Sequence, residues 1–135
     1  MEKRVVITGL GAITPIGNNT KETWDGIKTK KCGIDEIKAF NCDDFKTKFD
    51  AEVKDFNPLD YIDAKQSKRL DRSSQFAIIA AREAFEDSGI TKENTNFEKI
   101  GVFVSSGIGG MKTIQDQCGV FFEKGHNRVS PMFIP

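Results

Sequence analysis

Residues 4–18 read Arg-Val-Val-Ile-Thr-Gly-Leu-Gly-Ala-Ile-Thr-Pro-Ile-Gly-Asn, and this stretch decides the fold class. Its first part, Arg4–Thr8, is a short run rich in β-branched residues that ends at Gly9 and Gly11. Such a run is typical of a strand that is buried on both faces of a parallel sheet. The stretch therefore predicts an α/β protein in which Arg4–Thr8 is the first strand.

The turn after this run carries the pattern Gly9-x-Gly11-x-x-Thr14, which is close to a dinucleotide-binding fingerprint. The fingerprint has a third glycine where Thr14 stands, and Pro15 disfavours helical geometry at Thr14, so a helix cannot begin where the motif requires it. A nucleotide-binding α/β domain stays a remote alternative. We interpret the turn as a place where the backbone packs closely against neighbouring backbone.

Helices and two further strands are predicted in the rest of the chain. In chain order they are a capped helix from Asn19 to Lys30, a strand near Lys48–Val53, a short helix from Asn57 toward Ala64, a buried helix over Asp71–Ser88, a buried strand over Lys99–Ser105, and a helix between Gly110 and Gly125. Only two of the strands are clear, too few for an α/β sheet that helices cover on both faces. We expect residues 1–135 to be one incomplete N-terminal half of a larger domain, with a mixed, mainly parallel sheet and no second domain.

The composition excludes several classes of protein. Lys and Arg number 20, Asp and Glu also number 20, and 38% of the residues are hydrophobic. A neutral chain lacks the overall cationic character of a nucleic-acid-binding protein, and this chain is too apolar to be disordered. No run approaches the roughly 18 apolar residues of a membrane span, and no signal peptide is recognisable, so we expect a cytoplasmic protein.

The three cysteines and the single histidine form no familiar catalytic or metal-binding motif. The absence of CxxC spacing argues against a disulfide framework and against a cysteine-rich zinc site. Cys118 falls on the apolar stripe of the last predicted helix and is predicted to be an inert buried thiol, which leaves His126 without a partner for nucleophilic catalysis. No metal and no cofactor is expected.

A glycine-rich turn, Gly107-Ile108-Gly109-Gly110, precedes Met111-Lys112-Thr113. The order suggests a phosphate-binding P-loop, but a P-loop has glycine directly before its lysine, where Met111 stands. Phosphate binding at this helix N-terminus is one interpretation. We favour the other, in which the glycines let the backbone approach another chain segment or a ligand closely.

Four cationic residues fall at helical spacing. Lys65, Lys68, Arg69 and Arg72 occupy positions i, i+3, i+4 and i+7, so on one helix they would share a face. A solvated face is the ordinary interpretation of such a pattern. In a neutral protein, the same face is also the best candidate for docking an acidic partner.

Taken together, five segments of this chain resemble the N-terminal part of the β-ketoacyl-[acyl-carrier-protein] synthases. The similar segments are Arg4–Gly11 with Thr14–Asn18, Val53–Phe56, Arg69–Arg72, Ser106–Gly110, and Arg128–Pro131 with Phe133-Ile134-Pro135. The last two of these segments are closer to the type II than to the type I enzymes.

The resemblance implies a thiolase fold, a homodimer, and a longer chain of which this sequence is about the first third. It also implies a decarboxylative condensation, in which a cysteine thiolate takes an acyl group from acyl carrier protein and two histidines act on malonyl-carrier protein. In the family these three residues follow the segment ending at Pro135. Catalytic residues are therefore not expected in this chain, and Cys32, Cys42, Cys118 and His126 inherit no role.

The resemblance also implies roles for six residues. Ile108 is expected to line the acyl pocket, and Phe133 to reach the neighbouring subunit's pocket. Lys65, Lys68, Arg69 and Arg128 are expected to belong to the docking face for the carrier protein. The alternative is a non-catalytic, ketosynthase-like chain-length partner. We expect the isolated 135-residue chain to be inactive and poorly folded.

Overall fold

A computed structural model describes residues 3–133 of the chain. The helices are α1 (Thr20–Lys28), α2 (Ala64–Ser67), α3 (Arg72–Asp87) and α4 (Met111–Lys124), the strands are β1 (Asp35–Glu36) and β2 (Phe49–Asp50), and three short 3₁₀ helices cover Pro58–Asp60, Phe97–Lys99 and His126–Arg128. Ile134 and Pro135, which belong to the last similar segment, lie outside the described residues.

The start of α1 confirms the predicted cap. The Asn19 side chain accepts a hydrogen bond of 2.8 Å from the Glu22 backbone N–H, and the Glu22 carboxylate accepts one of 2.8 Å from the Asn18 N–H. These bonds satisfy donors that a helix start leaves unpaired. Local sequence therefore suffices to begin α1.

The long helix α3 also agrees with its predicted bounds. It ends at Asp87, and Gly89 follows with a φ of 65°, the left-handed conformation that commonly ends a helix. Ile79 is 6% exposed and Gln75 is 8% exposed, so the inner face of α3 carries one apolar and one amide side chain. The prediction of a largely buried helix holds for this face, whereas Phe85 remains 46% exposed.

The two predicted buried strands are wrong for the described residues. Neither Arg4–Thr8 nor Lys99–Ser105 forms a strand, and Val5 is 95% and Phe103 97% exposed. A strand needs a neighbour that accepts and donates its backbone hydrogen bonds, and within residues 3–133 neither run forms backbone hydrogen bonds that pair it with a distant segment. The only sheet in this part of the chain is the antiparallel pair β1–β2, with Asp35 opposite Asp50 and Glu36 opposite Phe49.

The chain forms two compact units. The first contains the residues up to Asn57 together with Ile79–Lys99, and the second contains Pro58–Ile78 together with the residues from Ile100 onward.

In the first unit, the glycine turn lies directly on α3. A Cβ atom added at Gly11 would overlap the Ala80 carbonyl oxygen, and one added at Gly9 would overlap the Ala84 carbonyl oxygen. The predicted close packing of this turn on neighbouring backbone is therefore confirmed. Only glycine permits such an approach.

No helix within the described residues is long and apolar enough to cross a membrane.

Candidate functional site

The cationic residues of the second unit do not share one helical face, which corrects the prediction from their spacing. Asp63 caps α2, whose last residue is Ser67, so Lys65 lies on this helix while Lys68 and Arg69 lie in the turn after it. Arg72 begins α3, with its guanidinium 4.9 Å from the centre of the Phe76 ring. The helix breaks because Asp71 caps a new one, accepting a hydrogen bond of 2.8 Å from the Ser73 N–H.

The side chain of Gln75 stabilises the turn with Lys68 and Arg69. The buried Gln75 amide donates hydrogen bonds of 3.0 Å to the Ser67 carbonyl oxygen and 3.3 Å to the Leu70 carbonyl oxygen. A buried amide needs such partners, and here they fix both ends of the turn. The two cations are thus presented on a braced piece of backbone.

The four cations that the sequence assigns to the docking face are exposed and form no ion pair within residues 3–133. None of Lys65, Lys68, Arg69 and Arg128 forms an ion pair with an acidic side chain in that range. The second unit carries seven Lys and Arg residues against five Asp and Glu residues, although the whole chain is neutral. Its positive charge therefore remains available to an acidic partner.

A groove of about 570 Å³ lies within the second unit. Its wall brings together two of the predicted docking residues, Lys68 and Arg69, and one predicted substrate-binding residue, Phe133. Hydroxyl groups of Ser73 and Thr113 also line it. Lys65, Arg128 and Ile108 are not on this wall.

Asp71 stands in the groove and joins the starts of α3 and α4. Besides the bond from Ser73, its carboxylate accepts a hydrogen bond of 2.6 Å from the Thr113 hydroxyl. Partial burial raises the pKa of Asp71, but the hydrogen bonds from Thr113 and Ser73 outweigh it and hold the pKa below its ordinary value. Asp71 is therefore an ionised acceptor near neutral pH.

The start of α4 is not arranged as a P-loop. Lys112 forms an ion pair of 3.1 Å with Asp116, and the Thr113 hydroxyl is engaged by Asp71. A phosphate that approached this hydroxyl would meet the negative charge of the Asp71 carboxylate. The contacts of these glycines are mostly local: a Cβ at Gly109 would lie 3.0 Å from the hydroxyl oxygen of Ser106 in the same turn, and one at Gly107 would meet no atom within 4 Å. The close approach of another segment or a ligand to this turn stays a prediction.

The glycine turn of the first unit is likewise filled by carboxylates. The Leu10 N–H donates to Asp87 at 3.0 Å, the Ala12 N–H donates to Glu83 at 2.9 Å, and Glu83 also accepts from the Thr20 N–H at 2.8 Å. A pyrophosphate would need these same donors and would meet two negative side chains. The turn therefore packs against α3, and its backbone N–H groups are already bonded to carboxylates of this helix.

Comparison with known proteins places the chain in a family. The model of the β-ketoacyl synthase N-terminal domain matches residues 2–135. The chain belongs to the β-ketoacyl synthase family. The predicted resemblance is confirmed.

Curated relatives support this membership. The chain is 42% identical over 134 residues to the 3-oxoacyl-[acyl-carrier-protein] synthase 2 of Synechocystis sp., covering 99% of this chain and 32% of that protein. It is 44% identical over 133 residues to the synthase of the same name from Staphylococcus aureus, covering 98% of this chain and 32% of that protein. The chain thus spans about a third of the length of these relatives.

Solved structures confirm the α/β, thiolase-like fold class. The ishigamide ketosynthase/chain length factor matches with a TM-score of 0.77 and 26% identity, over 95% of this chain and 32% of that one. A type II polyketide ketosynthase in complex with its acyl carrier protein matches with a TM-score of 0.75 over 98% of this chain and 35% of that one, and its 24% identity speaks for the fold alone.

Ile108 and Arg128, to which the family resemblance also gives roles, do not line the groove. Ile108 lies in the glycine turn before α4 and is 75% exposed. Arg128 ends the last 3₁₀ helix and is exposed. The prediction of a buried Cys118 is wrong, since this thiol is exposed; the stripe of α4 that carries it has no covering element within residues 3–133.

Sequence reasoning missed Asp71, Gln75 and Glu83. An acidic residue directly before a helix is a signal for an N-cap, so the bond from Asp71 to Ser73 could have been predicted. The bond to Thr113 joins residues 42 positions apart, and no local pattern announces it. The same holds for Glu83, which reaches back 71 positions to Ala12.

Proposed function

We propose that this chain is the N-terminal part of the N-terminal domain of a β-ketoacyl synthase that elongates fatty acids. The match of the family model along residues 2–135 carries the proposal. The names of the curated relatives support the choice of 3-oxoacyl-[acyl-carrier-protein] synthesis over other condensations.

The reaction we propose for the complete synthase proceeds in two steps. A cysteine thiolate displaces the carrier thiol from an acyl thioester, which leaves the acyl group on the enzyme. Malonyl-carrier protein then loses carbon dioxide, and the resulting carbanion attacks the acyl-enzyme carbonyl, forming the new carbon–carbon bond and releasing the thiolate. The cysteine and the two histidines are supplied outside residues 1–135, so this chain contributes binding and positioning.

The proposed partner is acyl carrier protein, recognised through charge. Lys65, Lys68, Arg69 and Arg128 are exposed and unpaired among the described residues, and the second unit carries excess positive charge. An acidic partner would gain attraction at long range and a faster encounter. Gln75 keeps Lys68 and Arg69 in place for this contact.

The proposed substrate contacts are Ile108 and Phe133. Ile108 offers an exposed branched side chain within a glycine turn, where the backbone leaves room for an acyl chain to pass. Phe133 offers an aromatic ring, which the proposal assigns to the pocket of a second subunit in a cytoplasmic homodimer.

A non-catalytic chain-length partner is the second candidate. One solved neighbour is a ketosynthase/chain length factor, so the fold is compatible with either protein. The two differ in the nucleophilic cysteine, which lies outside residues 1–135. Its presence or absence in the complete protein decides between them.

The direct test is a condensation assay with acyl-carrier and malonyl-carrier protein. We define the complete synthase as a full-length family member that carries residues 1–135 of this chain as its N-terminal segment. We expect the complete synthase to release carbon dioxide and form 3-oxoacyl-carrier protein, and the isolated 135-residue chain to form none. A complete synthase that folds and contains the cysteine but makes no product would contradict the proposal.

Replacing Ile108 with phenylalanine should make the complete synthase selective for short acyl chains. A larger ring in the glycine turn would obstruct the far part of the acyl tunnel, which only long chains occupy. We expect kcat/KM for long-chain donors to fall by roughly tenfold or more, while short-chain donors lose little. Kinetics with donors of increasing chain length measure the effect.

Ile34→Phe is the matched control, since it makes the same exchange at an exposed isoleucine of the first unit, away from the glycine turn and the groove. It should not alter the preference between long and short chains. An equal loss for all chain lengths in Ile108→Phe would point to overpacking instead of a tunnel wall.

A further inference from the structure

Asp71 is tied to both segments that the proposed function uses. It follows Lys68 and Arg69 closely in the chain, and its carboxylate accepts a 2.6 Å hydrogen bond from Thr113 in the first turn of α4. Its other oxygen accepts 2.8 Å bonds from the backbone N–H and the hydroxyl of Ser73. One side chain therefore connects the segment that follows the turn with Lys68 and Arg69, called the docking turn below, to the first turn of α4, which directly follows the glycine turn with Ile108.

The start of α4 depends on this carboxylate because the helix has no cap of its own. Gly110 occupies the N-cap position and offers no side-chain hydrogen bond. Gly109 and Gly110 have φ values of 57° and 61°, a conformation that glycine adopts without preferring it strongly over others. Without an external hydrogen bond, the turn would have several conformations of similar energy.

We propose that Asp71 is a positioning residue, which fixes the glycine turn and thereby Ile108 relative to the turn with Lys68 and Arg69. The proposal rests on the proposed function, in which Ile108 borders the acyl chain. Ile108 is 75% exposed, so the backbone on either side of it, more than the packing of its side chain, sets its place. Asp71 therefore determines where one wall of the acyl tunnel stands.

Loosening this link should affect long acyl chains more than short ones. A glycine turn that samples other conformations would let Ile108 enter the tunnel, and only long chains reach past it. The docking turn has its own brace in Gln75, whose bonds to Ser67 and Leu70 do not involve Asp71. Carrier docking should therefore change less than chain-length preference.

The test compares kcat/KM for long-chain and short-chain acyl donors, supplied as small carrier-free thioesters to the complete synthase. Thr113→Val removes the hydroxyl donor at similar size, and Thr113→Ser keeps it. We expect Thr113→Val and Asp71→Asn to lower the ratio of long-chain to short-chain kcat/KM by about tenfold or more, the effect of one lost charge-assisted hydrogen bond. Thr113→Ser should retain the wild-type ratio.

Ser73→Ala is the matched control, because it removes the hydroxyl bond to the same carboxylate at α3 and leaves the bond from Thr113. It should keep the wild-type ratio even if the melting temperature falls. If Asp71→Asn does not fold, the comparison of Thr113→Val with Thr113→Ser tests the proposal by itself.

The outcomes separate this proposal from the proposed function. An unchanged ratio in Thr113→Val, alongside a changed ratio in Ile108→Phe, would overturn the positioning role alone. Unchanged ratios in both would overturn the assignment of Ile108 to the acyl tunnel. A loss in Thr113→Val that is equal for long and short donors, and that serine does not rescue, would reduce Asp71 to a stabilising cap.

Discussion

Gly11→Ala should destabilise the complete synthase by about 3 kcal/mol or more, near the upper end for a single overpacking substitution. The added Cβ would overlap the Ala80 carbonyl oxygen, which is backbone of α3 and cannot rotate away as a side chain would. The turn would have to move off α3, which would also stretch the bonds from Leu10 to Asp87 and from Ala12 to Glu83. Thermal unfolding of the two proteins measures the loss.

Gly119→Ala makes the same chemical change with the opposite expectation. A Cβ at Gly119 meets no atom within 4 Å, and glycine inside a helix such as α4 costs about 0.5–1 kcal/mol relative to alanine. This variant should be as stable as the wild type or slightly more stable. Equal melting temperatures for Gly11→Ala and the wild type would show that the turn does not press on α3 as described.

The helices could be predicted because their signals are local. Asn19 and Glu22 lie within one turn of the start of α1, and Gly89 and Gly125 follow the last turns of α3 and α4. Each signal acts on backbone groups a few residues away, so the surrounding fold has little power to override it. The predicted helix from Asn57 toward Ala64 is wrong, and the cause is again a local signal. Asp63 caps a separate helix, α2, and only a 3₁₀ turn forms at Pro58–Asp60.

The strands could not be predicted in the same way because a strand is defined by its partner. Arg4–Thr8 and Lys99–Ser105 have the composition of buried strands, yet Val5, Val102 and Phe103 are more than four-fifths exposed. The pattern reports that these runs are suited to burial. It says nothing about which segment provides the neighbouring strand.

The residues of the candidate site show the same difference between local signals, which the sequence reveals, and long-range contacts, which it does not. The cations at positions 65, 68 and 69 are evident in the sequence, but the assumption of one continuous helix placed them wrongly, since the cap at Asp71 interrupts it. Gln75 is bonded to the turn with Lys68 and Arg69, and Asp71 is bonded to the start of α4. These supporting roles could not be predicted, because the bonds connect different elements of the structure. Family resemblance supplied roles for exposed residues and left these supporting residues unassigned.

Reversing the charge of Lys68 and Arg69 to glutamate should weaken the reaction with carrier-bound substrates selectively. Both side chains are exposed, lie in a turn braced by Gln75, and form no ion pair within residues 3–133. Charges at the rim of an interface act mainly on the encounter rate and are screened by salt, with a screening length of about 8 Å at physiological ionic strength. We expect KM for acyl-carrier protein to rise roughly tenfold, equivalent to about 1.4 kcal/mol.

The double variant Lys46→Glu with Lys92→Glu changes the net charge by the same amount on the first unit, where both lysines are exposed. If total charge governs attraction, the two double variants should raise KM equally; if the docking turn governs it, only the Lys68 and Arg69 variant should. Acylation by a small carrier-free thioester should be unchanged in both, because that donor has no acidic surface to attract. A wild-type salt dependence in the Lys68 and Arg69 variant, or an equal loss with both donors, would assign these cations to the solvated surface.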